Sequence, residues 1–151
     1  MIFRRPHLEG AWLTTIRPRS DSHIPLGGNR GPITAATIIE QSYFSLHVTQ
    51  YTAESTSHST TASIRTNGES RERTTLSLVY CNEPKQQHQP RSLTHSGASE
   101  IFVPGREPNE LDGRYWTSRL TTGDLTFVLI DRRTDYPNLA AVLRAQRERK
   151  P

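Results

Sequence analysis

Apolar and polar residues alternate along most of the chain. In "YFSLHVTQY", residues 43–51, the apolar positions Phe44, Leu46 and Val48 are separated by polar ones. Alternation with a period of two is typical of a strand with one buried face and one face that tolerates water. The pattern predicts eight strands, at residues 8–16, 33–41, 43–51, 58–66, 74–82, 96–103, 111–119 and 125–132.

The connections between these strands are mostly short. "NGE" at residues 67–69 is a hairpin sequence, and "TTGD" at residues 121–124 supplies a glycine where a turn needs a positive φ. Residues 17–32 and 82–94 form two longer loops that are rich in Pro, Gly and polar residues. Eight strands joined in chain order predict an all-β fold, a compact antiparallel up-and-down barrel of the lipocalin or streptavidin kind, closed so that no edge stays unpaired.

The first predicted strand and one of the last share a short phrase. It reads "LEGAW" at residues 8–12 and "LDGRYW" at residues 111–116. Gly10 and Gly113 would allow the strong coiling that a small barrel needs, and Trp12 and Tyr115 would lie on the same face as these glycines. We therefore expect the first and last strands to pair, around an interior wide enough for side chains or one small ligand.

The end of the chain has a different pattern. Leu139, Val142 and Leu143 recur at helical spacing, Pro137 suits a first helical turn, and a run of arginines follows. This predicts a short C-terminal helix that plugs the barrel or packs beside it, with solvated charge, or a membrane or nucleic-acid contact, at its end. The predicted division is a remnant at residues 1–7, a ligand-binding barrel at 8–132, and a helix with a basic tail at 133–151.

Composition excludes several classes of function. The six histidines of the 151 residues are scattered without zinc-ligand spacing, and Cys81 is the single cysteine. "LGGNRG" at residues 26–31 lacks the Gly-Lys-Ser/Thr ending of a phosphate loop, and no nucleophile elbow is present. No stretch approaches the roughly 20 apolar residues of a membrane span. We therefore expect a cytoplasmic chain that is not an enzyme and has no metal or cofactor. Its net charge of +4 favours an anionic partner.

About four-fifths of the chain resembles a known family. The phrases that carry the resemblance are "HLEGAW" at residues 7–12, "IIEQSYFSLHVTQYTAESTSHS" at 38–59, "LSLVYCNEP" at 76–84, "HSGASEIFV" at 95–103 and "LDGRYWTSRLTTGDL" at 111–125. In combination they resemble the β-strand-rich sensor domain of bacterial CBASS antiphage effectors. These effectors are associated with nucleotidyltransferases of the CD-NTase class and carry two transmembrane helices before the barrel.

The resemblance implies a ligand and an output. It implies that the barrel binds a cyclic dinucleotide made on infection, with no DNA or RNA partner, and that it can form a homo-oligomer on ligand binding. In the family, the transmembrane helices then disrupt the inner membrane. Only "MIFRRP" precedes the barrel here. We therefore expect either an excised domain or a natural variant that acts in another way. The resemblance assigns membrane disruption and an inner-membrane location only to a longer parent.

A cyclic dinucleotide presents phosphates, bases and ribose hydroxyls. A site for it needs cations or N–H donors, aromatic platforms, and hydroxyl or amide groups. We expect Arg119 to bind phosphate and Tyr115 or Trp12 to stack on a base, although Arg119 also suits a surface ion pair and the two aromatics suit a filled core. The candidate site residues are Trp12, Tyr43, Ser55, Ser57, Tyr80, Tyr115, Arg119, Thr121 and Thr122.

Two other functions fit the same barrel. A lipocalin-like carrier would have a dry apolar pocket, and a purely structural barrel would mediate assembly. The sensor differs from both because its ligand is a dianion, whose binding we expect to depend on salt. The sequence leaves open whether the ligand lies inside the barrel or caps its rim, and which bases it contains.

Overall fold

The computed structural model describes residues 5–66, 74–88 and 94–149. These residues form one closed antiparallel barrel in which each strand pairs with the next and the last pairs with the first. The eight-stranded barrel predicted from the alternation is therefore confirmed. The strands are β1 Gly10–Pro18, β2 Ile33–Gln41, β3 Leu46–Tyr51, β4 Ser55–Thr66, β5 Thr74–Pro84, β6 His95–Val103, β7 Glu110–Thr117 and β8 Thr122–Asp131. The hairpin predicted at residues 67–69 lies outside the described residues.

The barrel closes where β1 meets β8. Thr14 lies opposite Phe127 and Trp12 opposite Leu129, with a bulge between Ala11 and Trp12. Gly10, just before the bulge, has a φ of 142°, and a Cβ atom there would overlap the carbonyl oxygen of Asp131. A glycine is needed at this point because the two backbones converge.

One end of the barrel is packed with apolar side chains. We call it the closed end, and it is where β1 begins and β8 ends. Trp12 is fully buried there, and its indole Nε1 donates a hydrogen bond of 2.9 Å to the carbonyl oxygen of Leu8. The side chain of Gln41 accepts from the Leu8 amide at 2.8 Å and donates to the Pro6 carbonyl at 2.9 Å. These bonds fix the segment that enters the barrel across its closed end.

The strand predicted at residues 43–51 starts three residues later than expected. Ser42 forms a tight turn in which its Oγ accepts hydrogen bonds from the amides of Phe44 and Ser45, at 3.3 and 3.0 Å. Such serine-capped turns compete with strand pairing. Phe44 is consequently 89% exposed, and the prediction that it faces the interior was wrong.

The glycine of "TTGD" has a different role from the predicted one. The turn between β7 and β8 lies at residues 118–121, and Leu120 takes the positive φ, at 61°. Gly123 is paired within β8, opposite Tyr115. A Cβ atom at Gly123 would overlap the carbonyl oxygen of Arg17 and the Tyr115 ring, so this glycine makes room for the β1 backbone and an aromatic side chain and does not form the turn.

The C-terminal helix α1, Leu139–Arg149, packs beside the barrel. Val142 is fully buried in a cluster on the outer surface of β1, β2 and β8. Asn138 caps the helix by accepting a hydrogen bond of 2.9 Å from the Ala141 amide, so Pro137 precedes the cap and does not occupy the first turn as predicted. No helix within the described ranges is long and apolar enough to cross a membrane.

A cluster around Asp131 holds the C-terminal segment to the barrel. The Tyr136 hydroxyl donates to Asp131 at 2.6 Å, and Arg149 forms an ion pair with the same carboxylate at 3.1 Å. The hydrogen bond from Tyr136, followed by the Arg133 amide and the Arg149 charge, holds the pKa of Asp131 below its ordinary value. At least this arginine of the predicted basic tail is therefore paired at the barrel surface.

Candidate ligand-binding site

A cavity of about 440 Å³ lies inside the barrel at the end opposite the closed one. We call this the open end, and it is where β1 ends and β2 begins. Its volume falls within the range of roughly 300–1,000 Å³ that is common for small-molecule sites. The cavity exists because the large apolar side chains fill only the closed end of the barrel.

The floor of the cavity is apolar. It is formed by side chains that also belong to the packed core, namely Val48, Leu78, Ile101, Leu125 and Phe127. On the side away from the cavity these residues pack in the core, and this burial removes apolar surface from water and stabilises the barrel below the floor. The floor therefore sets the depth to which a ligand can enter.

A row of polar side chains crosses the cavity wall above the floor. Thr37, Gln50, Ser57, Asn82 and His95 are direct cross-strand partners on β2 to β6, each opposite the next. All of them line the cavity. Since partners in register point to the same side of a sheet, five consecutive strands present polar groups at one level. We call these residues the polar row.

Hydrogen bonds fix the side chains of this row. The Gln50 Nε2 donates to Thr37 Oγ1 at 3.0 Å, and the Asn82 Nδ2 donates to Ser57 and Ser55 at 2.8 and 3.0 Å. Groups held in this way lose little further freedom when a ligand binds, so the row is preorganised for hydrogen bonding.

Two tyrosines lie on the cavity wall, each facing a glycine on the neighbouring strand. Tyr80 is paired with Gly97, and Tyr115 with Gly123. A Cβ atom at either glycine would overlap the tyrosine ring. Burial raises the pKa of Tyr80 well above its ordinary value, and burial followed by the charge of Asp124 raises that of Tyr115 to about 12. Both hydroxyls are therefore neutral near pH 7 and can donate hydrogen bonds.

The raised pKa of Tyr115 predicts an alkaline loss of stability. The unfolded chain ionises this phenol at its ordinary pKa of 10.0, whereas the folded chain holds the proton until about pH 12. The stability that depends on the protonated Tyr115 hydroxyl is complete below pH 10 and is lost as the pH rises from 10 to about 12. In urea unfolding between pH 9 and pH 12, we expect Tyr115→Phe to lose stability less steeply than the wild type. Tyr43→Phe is the control, because Tyr43 is 83% exposed and should follow the wild type.

Five of the nine predicted site residues line the cavity. They are Ser55, Ser57, Tyr80, Tyr115 and Thr121. They come from β4, from β5, and from the two sides of the β7–β8 turn, where the hydroxyls of Thr117 and Thr121 are hydrogen-bonded to each other. The barrel thus brings together hydroxyl and aromatic groups that are far apart in the sequence.

The other four predicted residues lie elsewhere. Trp12 is in the core of the closed end, and Tyr43 is exposed on the turn before β3. Strand β7 ends at Thr117, two residues before the predicted end, so Arg119 lies in an exposed turn and not on the inward face. Thr122 begins β8, where its backbone is hydrogen-bonded to the hydroxyl of Ser22.

Sequence reasoning missed most of the polar row. Thr37, Gln50, Asn82 and His95 were absent from the predicted site because each looks unremarkable within its own strand. The available signal was parity, since each lies an even number of residues from an apolar inward position, such as Val48 for Gln50 and Leu78 for Asn82. The level at which they meet depends on strand register, which the sequence pattern does not fix.

The cavity wall carries little formal charge. Among the described residues that line it, no lysine or arginine is present, and Glu54 and His95 are the ionisable groups besides the tyrosines. Within the same described part of the chain, no three His, Cys, Asp or Glu side chains are grouped to hold a metal ion. The recognition that this wall can provide is therefore hydrogen bonding and ring contact.

Comparison with known proteins agrees with this geometry. Residues 3–128 match the family described as "Cap15, cyclic dinucleotide receptor domain". A curated relative, "CD-NTase-associated protein 15" of Staphylococcus schleiferi, is 31% identical over 98 residues, which cover 65% of this chain and 50% of that protein. The chain thus spans about half the length of this relative. The resemblance to CBASS sensor domains is confirmed: the chain belongs to the Cap15 cyclic dinucleotide receptor domain family.

Proposed function

We propose that the cavity binds a cyclic dinucleotide and that the barrel is the sensor of an antiphage effector linked to a CD-NTase. One observation carries the proposal. A hydrogen-bonded polar row and two tyrosine rings surround a cavity of about 440 Å³ in a chain that belongs to a cyclic dinucleotide receptor family.

The chemistry of the wall suits the parts of such a ligand. The rings of Tyr80 and Tyr115 offer faces on which a base can stack, which typically contributes about 1–3 kcal/mol per base. The Gln50 amide keeps one N–H group and its carbonyl oxygen for a base edge, and the Asn82 carbonyl oxygen can accept a hydrogen bond from one. The hydroxyls of Ser55, Ser57 and Thr121 suit ribose or phosphate oxygens, and no residue is assigned a catalytic role.

The proposed effect on the membrane requires a longer parent protein that contains this barrel. By resemblance to the family, ligand binding to the barrel would act on transmembrane helices of that parent, assemble it into homo-oligomers and disrupt the bacterial inner membrane. The length of the curated relative, about twice that of the matched region, leaves room for such helices.

A carrier of a small apolar ligand is the second candidate. The apolar floor of Val48, Leu78 and Phe127 favours it, because an elongated hydrocarbon could cover this surface. The polar row opposes it, since hydrocarbon would leave these hydrogen-bonding groups without water or partners.

A ligand panel tests the proposal. We expect cyclic di-AMP, cyclic di-GMP or mixed cyclic GMP-AMP to raise the free energy of unfolding by about 2.7 kcal/mol at 100 times the dissociation constant. The measurement is urea unfolding with each compound, with a fatty acid, and with short DNA and RNA strands. A linear dinucleotide of the same bases is the matched control and should stabilise less. Stabilisation by the fatty acid alone would establish the carrier instead.

A further inference from the structure

The loop between β1 and β2 has two parts that differ in how they are held. The first part is fixed to the β7–β8 turn. Ser22 is buried, its hydroxyl donates to the Thr122 carbonyl at 2.7 Å, and it accepts from the Thr122 amide at 3.0 Å. The amides of Arg19 and His23 donate to the carbonyls of Thr122 and Leu120, at 2.8 and 3.2 Å. This part is a fixed base at the open end.

The second part, residues 24–31, is the loop tip. Its described hydrogen bonds run mainly within the tip, from the Gly28 amide to Pro25 at 2.9 Å and from the Gly31 amide to the Asn29 side chain at 2.8 Å. Gly27 and Gly31 have φ values of 82° and 79°, which glycine adopts at little steric cost. A Cβ atom at Gly27 would have no neighbour within 4 Å, whereas Gly31 packs against Pro18 and anchors the end of the tip. The tip is therefore a small unit that can move on its base.

The tip lies against the cavity. Asn29 and Pro32 line the cavity, and Arg30 stands exposed between them, with one weak described contact of 3.4 Å to the Ile24 carbonyl. Leu26 projects fully into solvent, at 102% exposure. An apolar side chain in this state gains by being covered.

A doubly negative ligand needs positively charged partners, and the described residues of the cavity wall supply no lysine or arginine. Glu54 adds a negative group to the lining. A phosphate is best held by a charge-assisted hydrogen bond from a guanidinium group. Arg30 directly follows the wall residue Asn29, so a movement of the tip can bring its guanidinium group over the cavity.

We propose that residues 24–31 are a lid that closes over the bound cyclic dinucleotide and places Arg30 against a phosphate. This inference rests on the proposed function, and it adds a ligand-binding residue and a movement to it. Closure would cover Leu26 and supply the cation that the described wall lacks. The fixed base at Ser22 would keep the lid in register with the cavity.

The first test is the salt dependence of affinity for Arg30 variants. The probes are cyclic di-AMP, cyclic di-GMP and cyclic GMP-AMP, titrated by calorimetry at about 50 mM and about 500 mM salt, where screening lengths differ several-fold. We expect Arg30→Ala to weaken binding by about 10- to 100-fold at low salt and to flatten the salt dependence. Arg30→Lys should restore part of both. Arg114→Ala is the charge-matched control, because Arg114 is paired with Glu100 at 3.0 Å on the outer surface.

The second test reports closure without relying on affinity. Trypsin cleaves after Arg30, and mass spectrometry follows the rate with and without saturating cyclic dinucleotide. We expect the ligand to slow this cleavage at least severalfold, while cleavage after Arg106, exposed at the closed end, is unchanged. The same comparison in Arg30→Lys keeps the cleavage site and should show the same protection.

The outcomes separate the lid from the proposed function. If wild type binds none of the three probes, the proposed function fails and the lid with it. If wild type binds but Arg30→Ala binds equally well with an unchanged salt dependence, Arg30 is not the missing cation. A large loss in Arg119→Ala with none in Arg30→Ala would assign the phosphate to the β7–β8 turn and overturn the inference. Unslowed cleavage after Arg30 in the bound state would overturn the closure.

Discussion

Replacing Trp12 by alanine is expected to lower the free energy of unfolding by about 3–5 kcal/mol. The side chain is fully buried at the closed end, and its indole donates the hydrogen bond that holds the Leu8 carbonyl. The substitution removes a large apolar volume and leaves that carbonyl without its indole donor. Urea unfolding followed by far-UV circular dichroism measures the change.

The chain offers a matched control in its other tryptophan. Trp116 lies on the outer surface of β7 and is 41% exposed, so Trp116→Ala should change the free energy of unfolding much less, by about 1 kcal/mol. A similar loss in both variants would contradict the placement of Trp12 in the core.

A milder substitution separates packing from ligand binding. Trp12→Phe keeps most of the apolar volume and should leave a folded barrel with unchanged cyclic dinucleotide affinity, because Trp12 is absent from the cavity lining. A loss of affinity in this folded variant would return Trp12 to the site, as the sequence alone suggested.

The closure of the barrel was predictable because its causes are local. Alternation identifies the inward face of each strand, and the repeated glycine–aromatic phrase lies in β1, at the seam, and in β7, the strand next to β8. Gly10 lies at the seam itself, where the β1 and β8 backbones converge. These features depend on neighbours within a few residues, so they can be read from one sequence.

The ends of the strands were predicted less well. This error placed Arg119, the predicted phosphate ligand, in a strand, whereas it lies in the β7–β8 turn. Alternation continues through "YWTSR", but the hydroxyl of Thr117 bonds to Thr121 and accepts from the Arg119 amide at 3.3 Å. This side-chain bonding starts the turn and takes Arg119 out of the strand. The same competition at Ser42 exposes Phe44. Period-two reasoning does not include such side-chain capping.

The polar row is the clearest example of information that a single strand does not contain. Gln50, Asn82 and His95 become one feature only when the strands are in register. Register in turn depends on a bulge within β4, between Ser59 and Thr61, which shifts the facing residues by one. Nothing in the alternation of β4 marks that position.

Removing the ring of Tyr80 or Tyr115 is expected to weaken cyclic dinucleotide binding by about 5- to 150-fold, the equivalent of about 1–3 kcal/mol for one stacked base. Tyr80→Ala and Tyr115→Ala are measured by calorimetric titration with the same three cyclic dinucleotides. Tyr80→Phe and Tyr115→Phe keep the ring and should retain most of the affinity. Tyr43→Ala, which removes an exposed tyrosine far from the cavity, should have no effect.

Substitution of Gly97, which faces the Tyr80 ring, tests the role of ring stacking independently. A Cβ atom at Gly97 meets the Tyr80 ring and no backbone atom among its three nearest neighbours, so Gly97→Ala should displace the ring while leaving its chemistry intact. If stacking depends on ring position, this variant should lose affinity although both tyrosines remain. If Gly97→Ala, Tyr80→Ala and Tyr115→Ala all bind with wild-type affinity, neither ring contacts a base. Recognition would then rest on the polar row alone.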